Sequence, residues 1–161
     1  MESLQLRNAQ RVDLPQINQV ISAAVMTWNL PERVKRLALS SYHYHEVDFA
    51  HFGMRVAQRA DALLGVAAWE PADPRDLPED LNPDARGLLL HGIYVDPEAQ
   101  RQGIGRALVA EALHAAQAQG MAGLLVKAQS DAVPFFHGLG WQALPVRDRV
   151  RDYEHRYWKT V

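Results

Sequence analysis

Two glycines between a strand and a helix are the residues of this sequence best suited to bind an anion. Gly103 and Gly105 follow an apolar strand over Leu88–Val95 and lie at the start of an alanine-rich helical segment, Gly103–Gln119. Glycine has no Cβ, so the backbone can come close to phosphate oxygens, and the unpaired amides and dipole of a helix N-terminus attract negative charge. The spacing therefore predicts an anion site, for which a pyrophosphate is a suitable guest.

Two familiar nucleotide-binding loops do not match this segment. A dinucleotide fold needs Gly-x-Gly-x-x-Gly directly after the strand, whereas here Asp96–Gln102 intervenes and Leu108 stands where the third glycine is required. A nucleoside triphosphate loop needs Gly-Lys followed by Ser or Thr, whereas Gly105 is followed by Arg106 and Ala107. A glycine turn with a purely structural role stays the alternative.

The first half of the chain is predicted to contain a strand, two helices and an antiparallel hairpin. Leucines alternate with polar residues over Leu4–Asn8, and Asp13 is placed to cap the first helix. A second helix begins near Pro31, and the hairpin strands are Met54–Arg59 and Leu63–Trp69. The first helix has one apolar face at helical spacing, formed by Ile17, Val20, Ile21, Ala24, Val25 and Trp28.

The second half places the glycines between two strands. The strand Leu88–Val95, the helix and a buried strand, Leu124–Ala128, form a right-handed crossover, so we expect the two strands to be parallel neighbours. A short helix over Asp131–Leu139, a strand beginning at Trp141 and a last strand over Tyr153–Trp158 follow. This mixed order predicts an α/β (α+β) domain built on one central sheet.

Composition bounds the class of protein. The 161 residues are 48% hydrophobic and 22% charged, which predicts a single compact domain over residues 1–161. The absence of cysteine excludes disulfides, thiolate metal sites and a cysteine nucleophile. Because no apolar run reaches the roughly 18 residues that cross a bilayer, and Met1–Gln10 lacks the features of a signal peptide, we expect a cytoplasmic protein. A formal charge of -2 and a pI near 6.4 favour neither nucleic acid nor a membrane as partner.

Two polar segments are interpreted as surface. Four prolines with aspartates make Pro71–Pro83 a surface loop. The acidic residues of Asp73–Asp84 are compatible with a cationic acceptor or with plain solvation. The arginines of Arg147–Arg156 alternate with acidic residues, which indicates a solvated surface.

The sequence resembles the GCN5-related N-acetyltransferase (GNAT) superfamily over most of its length. The pattern Gln100-x-x-Gly103-x-Gly105, after Ile93-Tyr94-Val95-Asp96-Pro97, is similar to the acyl-CoA pyrophosphate loop of that superfamily. The stretch Ala132–Trp141, with its Gly-aromatic ending, is similar to a later helix of these enzymes. The two segments also have the order and separation that the superfamily shows.

This resemblance implies a GNAT-like mixed sheet that is splayed around acetyl-CoA or another acyl-CoA. The pantetheine arm would pair with main-chain groups of Ile93 and Val95, as a peptide pairs with a sheet edge. The adenine end would lie near the later helix. The implied cofactor-binding residues are Ile93, Tyr94, Val95, Gln100, Arg101, Gln102, Gly103, Ile104, Gly105, Arg106, Phe135 and Phe136.

The resemblance also implies direct acyl transfer to an amine with a general base. Similar enzymes often carry a glutamate base at the position of His91, and an ordinary histidine, which titrates near ~6.5, could serve instead; a histidine that only packs on the strand is the alternative. Glu70 is the second candidate base. Similar enzymes often place a tyrosine acid where Phe136 stands, so Tyr94 or water would have to protonate the thiolate. The amide of Val95 is the expected oxyanion donor.

The acceptor is expected to be a small-molecule or peptide amine. Aromatic residues that could line its pocket are Trp28, Tyr42, Tyr44, Phe49 and Trp69, although most could equally be core residues. No metal is expected, because His43, His45 and His51 have no further ligand at a recognisable spacing except Glu46 and Asp48. The sequence leaves open a homodimer and, as a rival function, a non-catalytic acyl-CoA-binding or regulatory module.

Overall fold

The computed structural model describes residues 2–150, 152 and 154–161. Within these residues, seven strands form one mixed sheet, with the order β1-β2-β3-β4-β5-β7-β6. The strands are β1 (Gln5–Asn8), β2 (Gly53–Arg59), β3 (Ala62–Pro71), β4 (Gly87–Val95), β5 (Gly123–Lys127), β6 (Gln142–Leu144) and β7 (Arg156–Thr160). The α-helices are α1 (Leu14–Met26), α2 (Glu32–Tyr42), α3 (Ile104–Ala118) and α4 (Val133–Gly138).

The strand directions confirm the predicted mixed α/β class. β1 runs antiparallel to β2, and β7 runs antiparallel to both β5 and β6. β4 and β5 are parallel neighbours, as the crossover predicts, with pairs from Gly87–Gly123 to Leu90–Val126. His91–Val95 of β4 lies beyond the last of these pairs.

The contacts between Cα atoms divide the chain into two compact units. The first unit comprises the residues up to Ala68 together with Gly92–Glu111, and the second comprises Trp69–His91 and Ala112–Val161. The prediction of a single domain stays a prediction. The core of the first unit combines the apolar face of α1 with β2, β3 and two tyrosines: Ile17, Val20, Ile21, Ala24, Val25, Tyr44, Met54, Val56, Leu63, Val66, Ala68 and Tyr94.

The start of α1 differs from the prediction. Asp13 stands at the N-cap position but makes no side-chain bond to the helix amides. Its buried carboxylate instead accepts the amide of Gln10 at 2.7 Å and two bonds from the guanidinium of Arg7, at 2.8 and 2.9 Å. The Arg7 hydrogen bond is the largest influence that lowers the pKa of Asp13 below its ordinary value. Asp13 therefore ties β1 to the start of α1.

The second unit contains a buried arginine, which contradicts the prediction that Arg147–Arg156 is all solvated surface. Arg156 is 1% exposed. Its Nη1 donates to the carbonyl of Pro145 at 2.9 Å, and its Nη2 donates to the carbonyl of Asp76. The Asp76 carboxylate is also buried and lies 3.1 Å from Nζ of Lys127. One acid of the predicted surface loop is thus a structural residue, and plain solvation does not describe it.

Other boundaries shift by a few residues. The predicted helix over Asp131–Leu139 is a 3-10 turn, Ser130–Ala132, followed by α4. The last strand begins at Arg156, and Tyr153, where it was predicted to start, lies outside the described residues. No helix in the described parts of the chain is long and apolar enough to cross a membrane.

Candidate active site

Hydrogen bonds of Asp96 fix the start of the segment that leads from β4 to α3. The amide of Asp96 donates to the carbonyl of Leu64 on β3 at 2.8 Å. Asp96 also caps the 3-10 turn Pro97–Ala99, because its Oδ1 accepts the amide of Glu98 at 2.9 Å. The chain therefore leaves β4 in a defined direction before it reaches the glycines.

The residues before α3 adopt a left-handed backbone. Arg101 has a φ of 62° and Gly103 a φ of 77°. A non-glycine residue in this region costs about 1–2 kcal/mol, which Arg101 bears and Gly103 avoids. Apart from Gly103 and its two chain neighbours, no atom of the described residues lies within 4 Å of the position a Cβ on Gly103 would take, so the space above the glycine is open.

The first turn of α3 presents amides beside this open space. Ala107 is the first residue whose amide bonds to this segment, at 3.0 Å from the carbonyl of Gly103. The amides of Ile104, Gly105 and Arg106 precede it and, by the geometry of a helix N-terminus, have no carbonyl one turn back. Together with the dipole of the 15-residue α3, they make this turn a candidate anion site.

A glycine that the sequence analysis did not single out sets the position of this turn. A Cβ on Gly65 of β3 would lie 2.9 Å from Cδ1 of Leu108 and 3.0 Å from Cγ2 of Ile104. Ile104 and Leu108 are fully buried on α3. The only sequence signal was a glycine inside a predicted strand, which often marks a close approach.

Two side chains on the loop bond to neighbours in the first unit. Nε2 of Gln100 donates to the carbonyl of Val95 at 3.4 Å. Nη1 of Arg59, the last residue of β2, donates to Oε1 of Gln102 at 2.6 Å. Sequence reasoning missed Arg59, because nothing in the local pattern of a hairpin predicts a partner 43 positions away.

The two candidate bases belong to the second unit. His91 is exposed on β4, and Glu70 is half-buried near the end of β3. His91 takes part in an interaction with another group, so it is not an isolated side chain. A general base must exchange a proton with substrate or water, so it needs an exposed side chain. The side chain of His91 is more exposed than that of Glu70.

Tyr94, the predicted alternative acid, faces the core of the first unit. It is 8% exposed and packs in the same cluster as Tyr44. Burial, and secondarily the nearby Tyr42, raises the pKa of Tyr94 well above its usual range. A phenol held neutral in this way gives up its proton reluctantly, which makes Tyr94 a poor general acid.

Only some of the predicted pocket aromatics lie together. Trp28 and Tyr42 form an edge-to-face pair with ring centroids 5.1 Å apart, and both are half-buried. Tyr44 is a core residue, and Phe49 packs against the same core. Trp69 is a buried residue of the second unit.

Phe136 is a packing residue of the second unit. It is 1% exposed and its ring lies 5.2 Å from that of Trp141 and 6.0 Å from that of Tyr157, measured between centroids. A side chain this deeply buried has no surface for a ligand. Of the two phenylalanines predicted to contact the cofactor, the half-buried Phe135 is the one with such a surface.

Two of the three histidines considered as metal ligands make hydrogen bonds, His43 through its ring and His45 through its backbone amide. Nε2 of His43 lies 2.7 Å from Oγ of Ser22, and the amide of His45 donates to Asp48 at 2.7 Å. Among residues 2–150, 152 and 154–161, no three His, Cys, Asp or Glu side chains are grouped as metal ligands would be.

The family of the chain follows from its sequence over residues 51–153, which match the acetyltransferase (GNAT) domain. This match covers most of the chain and includes the glycine loop and α4. The chain belongs to the GNAT acetyltransferase family. No curated protein sequence matches it.

Solved structures of GNAT proteins share the fold. The PaiA N-acetyltransferase from Thermoplasma acidophilum, in complex with coenzyme A, is 16% identical, with a TM-score of 0.77 and coverage of 99% of both chains. A GNAT family acetyltransferase from Brucella melitensis, in complex with acetyl-CoA, is 16% identical, with a TM-score of 0.66 and coverage of 99% of this chain and 89% of that one. The ribosomal-protein-S18-alanine N-acetyltransferase from Escherichia coli is 18% identical, with a TM-score of 0.60 and coverage of 97% and 91%.

Proposed function

We propose that this GNAT protein transfers an acetyl group from acetyl-CoA to a primary amine of a small molecule or peptide. The observation that carries the proposal is the loop at the start of α3, where Gly103 leaves open space beside the amides of Ile104, Gly105 and Arg106. Two of the structural neighbours were solved with coenzyme A or acetyl-CoA, which supports the same choice of donor.

The loop is suited to the pyrophosphate of the donor. The helix amides would donate to its oxygens, and the exposed side chains of Arg101 and Arg106 would add positive charge. Ile93 and Val95 would pair their main-chain groups with the amides of the pantetheine arm. These contacts would be made to the pyrophosphate and the pantetheine arm, which every acyl-CoA shares. They do not select the acyl chain, so the choice of an acetyl group is part of the proposal.

The transfer needs a neutral amine and a stabilised oxyanion. His91 would take a proton from the ammonium group of the acceptor and leave a neutral amine, with Glu70 as the second candidate base. The nitrogen then attacks the thioester carbonyl, and the amide of Val95 would donate to the oxyanion that forms. Collapse of this intermediate breaks the carbon–sulfur bond and releases the thiolate of coenzyme A, and the nitrogen gives its remaining excess proton to water. Because Phe136 has no proton to give and Tyr94 is a poor acid, we assign the protonation of the thiolate to water.

A turnover assay tests this function. The protein is incubated with acetyl-CoA and a panel of primary amines that includes a polyamine, an amino acid, a lysine peptide and a peptide with a free N-terminus. We expect free thiol to appear in proportion to an acetylated amine detected by mass spectrometry. Thiol release without any acetylated product would contradict transfer to an amine.

A non-catalytic acyl-CoA-binding module is the second candidate. It is favoured by the phenyl ring of Phe136, which has no proton to give, and by the burial of Tyr94, which makes that phenol a poor acid. The same assay separates the two functions, because a binding module would bind acetyl-CoA tightly and leave the thioester intact with every amine in the panel.

A further inference from the structure

An arginine outside the glycine loop holds one of its side chains. Arg59 is half-buried at the end of β2, and its Nη1 donates to Oε1 of Gln102 over 2.6 Å. A guanidinium donor makes this a charge-assisted hydrogen bond, which is shorter and stronger than a neutral one. Gln102 directly precedes Gly103, so the bond acts at the residue before the open space.

The backbone of the loop has an unfavourable conformation that a bond to Arg59 would stabilise. Its backbone at Arg101 and Gly103 is left-handed, a conformation that a free chain rarely adopts at arginine. The main chain is fixed at the other end by the bond from Asp96 to Leu64. Arg59 supplies a second fixed point at Gln102, and the strained Arg101 lies between the two.

The side chain of Arg59 contacts the loop through its terminal guanidinium nitrogen. Ala60, the next residue, has a φ of 53°, so the chain turns sharply directly after Arg59. Among the described residues, Nε of Arg59 is buried and has no hydrogen-bond partner. The terminal nitrogen is therefore the part of this side chain that makes the bond to the loop.

We propose that Arg59 is a positioning residue for acyl-CoA binding, which acts by holding Gln102 and with it the amides at the start of α3. The proposal rests on the proposed function for its ligand. Its effect is preorganisation, since a loop already held in its binding conformation loses less freedom when the pyrophosphate arrives.

Four variants test the proposal. Arg59→Met keeps the apolar stem and removes the charge and donors, while Arg59→Lys keeps the positive charge and one donor group on a shorter stem. Gln102→Ala removes the acceptor, and the double variant combines it with Arg59→Met. The matched control is Arg55→Met, because Arg55 lies on the same strand but pairs with Glu111 of α3, at 3.4 Å.

The first readout is the dissociation constant for coenzyme A. We expect Arg59→Met to raise it about five- to tenfold, as the loss of one charge-assisted bond would. Arg59→Lys should stay closer to the wild type than Arg59→Met, and Arg55→Met should bind as the wild type does. In the Gln102→Ala background, Arg59→Met should have no further effect. An unchanged constant for Arg59→Met, or an equal loss in the Gln102→Ala background, would overturn the proposal, the latter because it would mean direct contact with the ligand.

The second readout needs no ligand. Amide hydrogen exchange over residues 100–106 of the free protein should be faster in Arg59→Met and in Gln102→Ala than in the wild type, with equal melting temperatures. Unchanged exchange in both variants would overturn the positioning role. If the wild type bound no coenzyme A but exchange rose as expected, the proposed function would fail and the role of Arg59 in holding the loop would stand.

Discussion

Gly65 of β3 lies directly against Leu108 of α3, so close that a Cβ would stand 2.9 Å from Cδ1 of the leucine. The carbonyl of Tyr94 lies 3.2 Å from the same position. The missing side chain thus allows the first turn of α3, with its free amides, to pack on the strand. Their contact fixes where the amides of the candidate site stand.

Gly65→Ala should therefore destabilise the protein. The added methyl must displace Leu108 and Ile104 and is opposed by a backbone carbonyl, for which overpacking costs about 1–3 kcal/mol of unfolding free energy. Denaturant unfolding measures it. The control is Gly138→Ala on α4, where nothing lies within 4 Å of the new Cβ and stability should not fall. Equal stability of the two variants would contradict the close packing.

The pair of Arg7 and Asp13 should make stability depend on acid. The pKa of Asp13 is lowered in the folded state, so its ionised carboxylate adds to the free energy of unfolding. This contribution is complete above the ordinary pKa of 3.8 and is lost as the pH falls through the pKa of the folded state. Asp13→Asn should be less stable than the wild type at pH 7, and the difference should shrink below about pH 4. Unfolding free energies from pH 7 to pH 3 measure it. A difference that stays constant would contradict the ion pair.

The buried Arg156 should be needed for stability. Arg156→Met leaves the carbonyls of Asp76 and Pro145 without their donor, and each buried unsatisfied group costs about 1–3 kcal/mol. Lys159→Met on the same strand, an exposed position, is the control. Thermal unfolding should show a clear loss for the first variant and little change for the second.

His91→Ala tests the candidate base. We expect it to lower kcat while the dissociation constant for acetyl-CoA stays nearly the same, since the base acts on the amine and not on the donor. His114→Ala, which removes another exposed histidine, should leave kcat unchanged. A pH–rate profile of His91→Ala identical to that of the wild type would remove His91 from the mechanism.

The sequence predicted those features that depend on local periodicity and turn chemistry. The apolar face of α1, the two hairpin strands and the strand–helix–strand crossover agree with the prediction, because each of their elements follows from local periodicity and turn residues. Long-range partners were not found. Arg156 looked like other arginines of an exposed segment, and only the fold brings the carbonyl of Asp76, 80 positions away, to its guanidinium. Gly65, Arg59 and the burial of Tyr94 were missed for the same reason.

The most direct test of the central claim is a calorimetric titration with acetyl-CoA and with coenzyme A. It compares the wild type with Gly103→Val, which places a branched side chain where the phosphate should sit. Gly120→Val is the matched control, since Gly120 has a φ of 70° and an equally open Cβ position but follows the other end of α3.

We expect micromolar binding by the wild type and by Gly120→Val, and its loss in Gly103→Val. Equal binding by all three proteins would mean that the loop is not the pyrophosphate site. No binding by any of them would contradict the assignment of an acyl-CoA-dependent function.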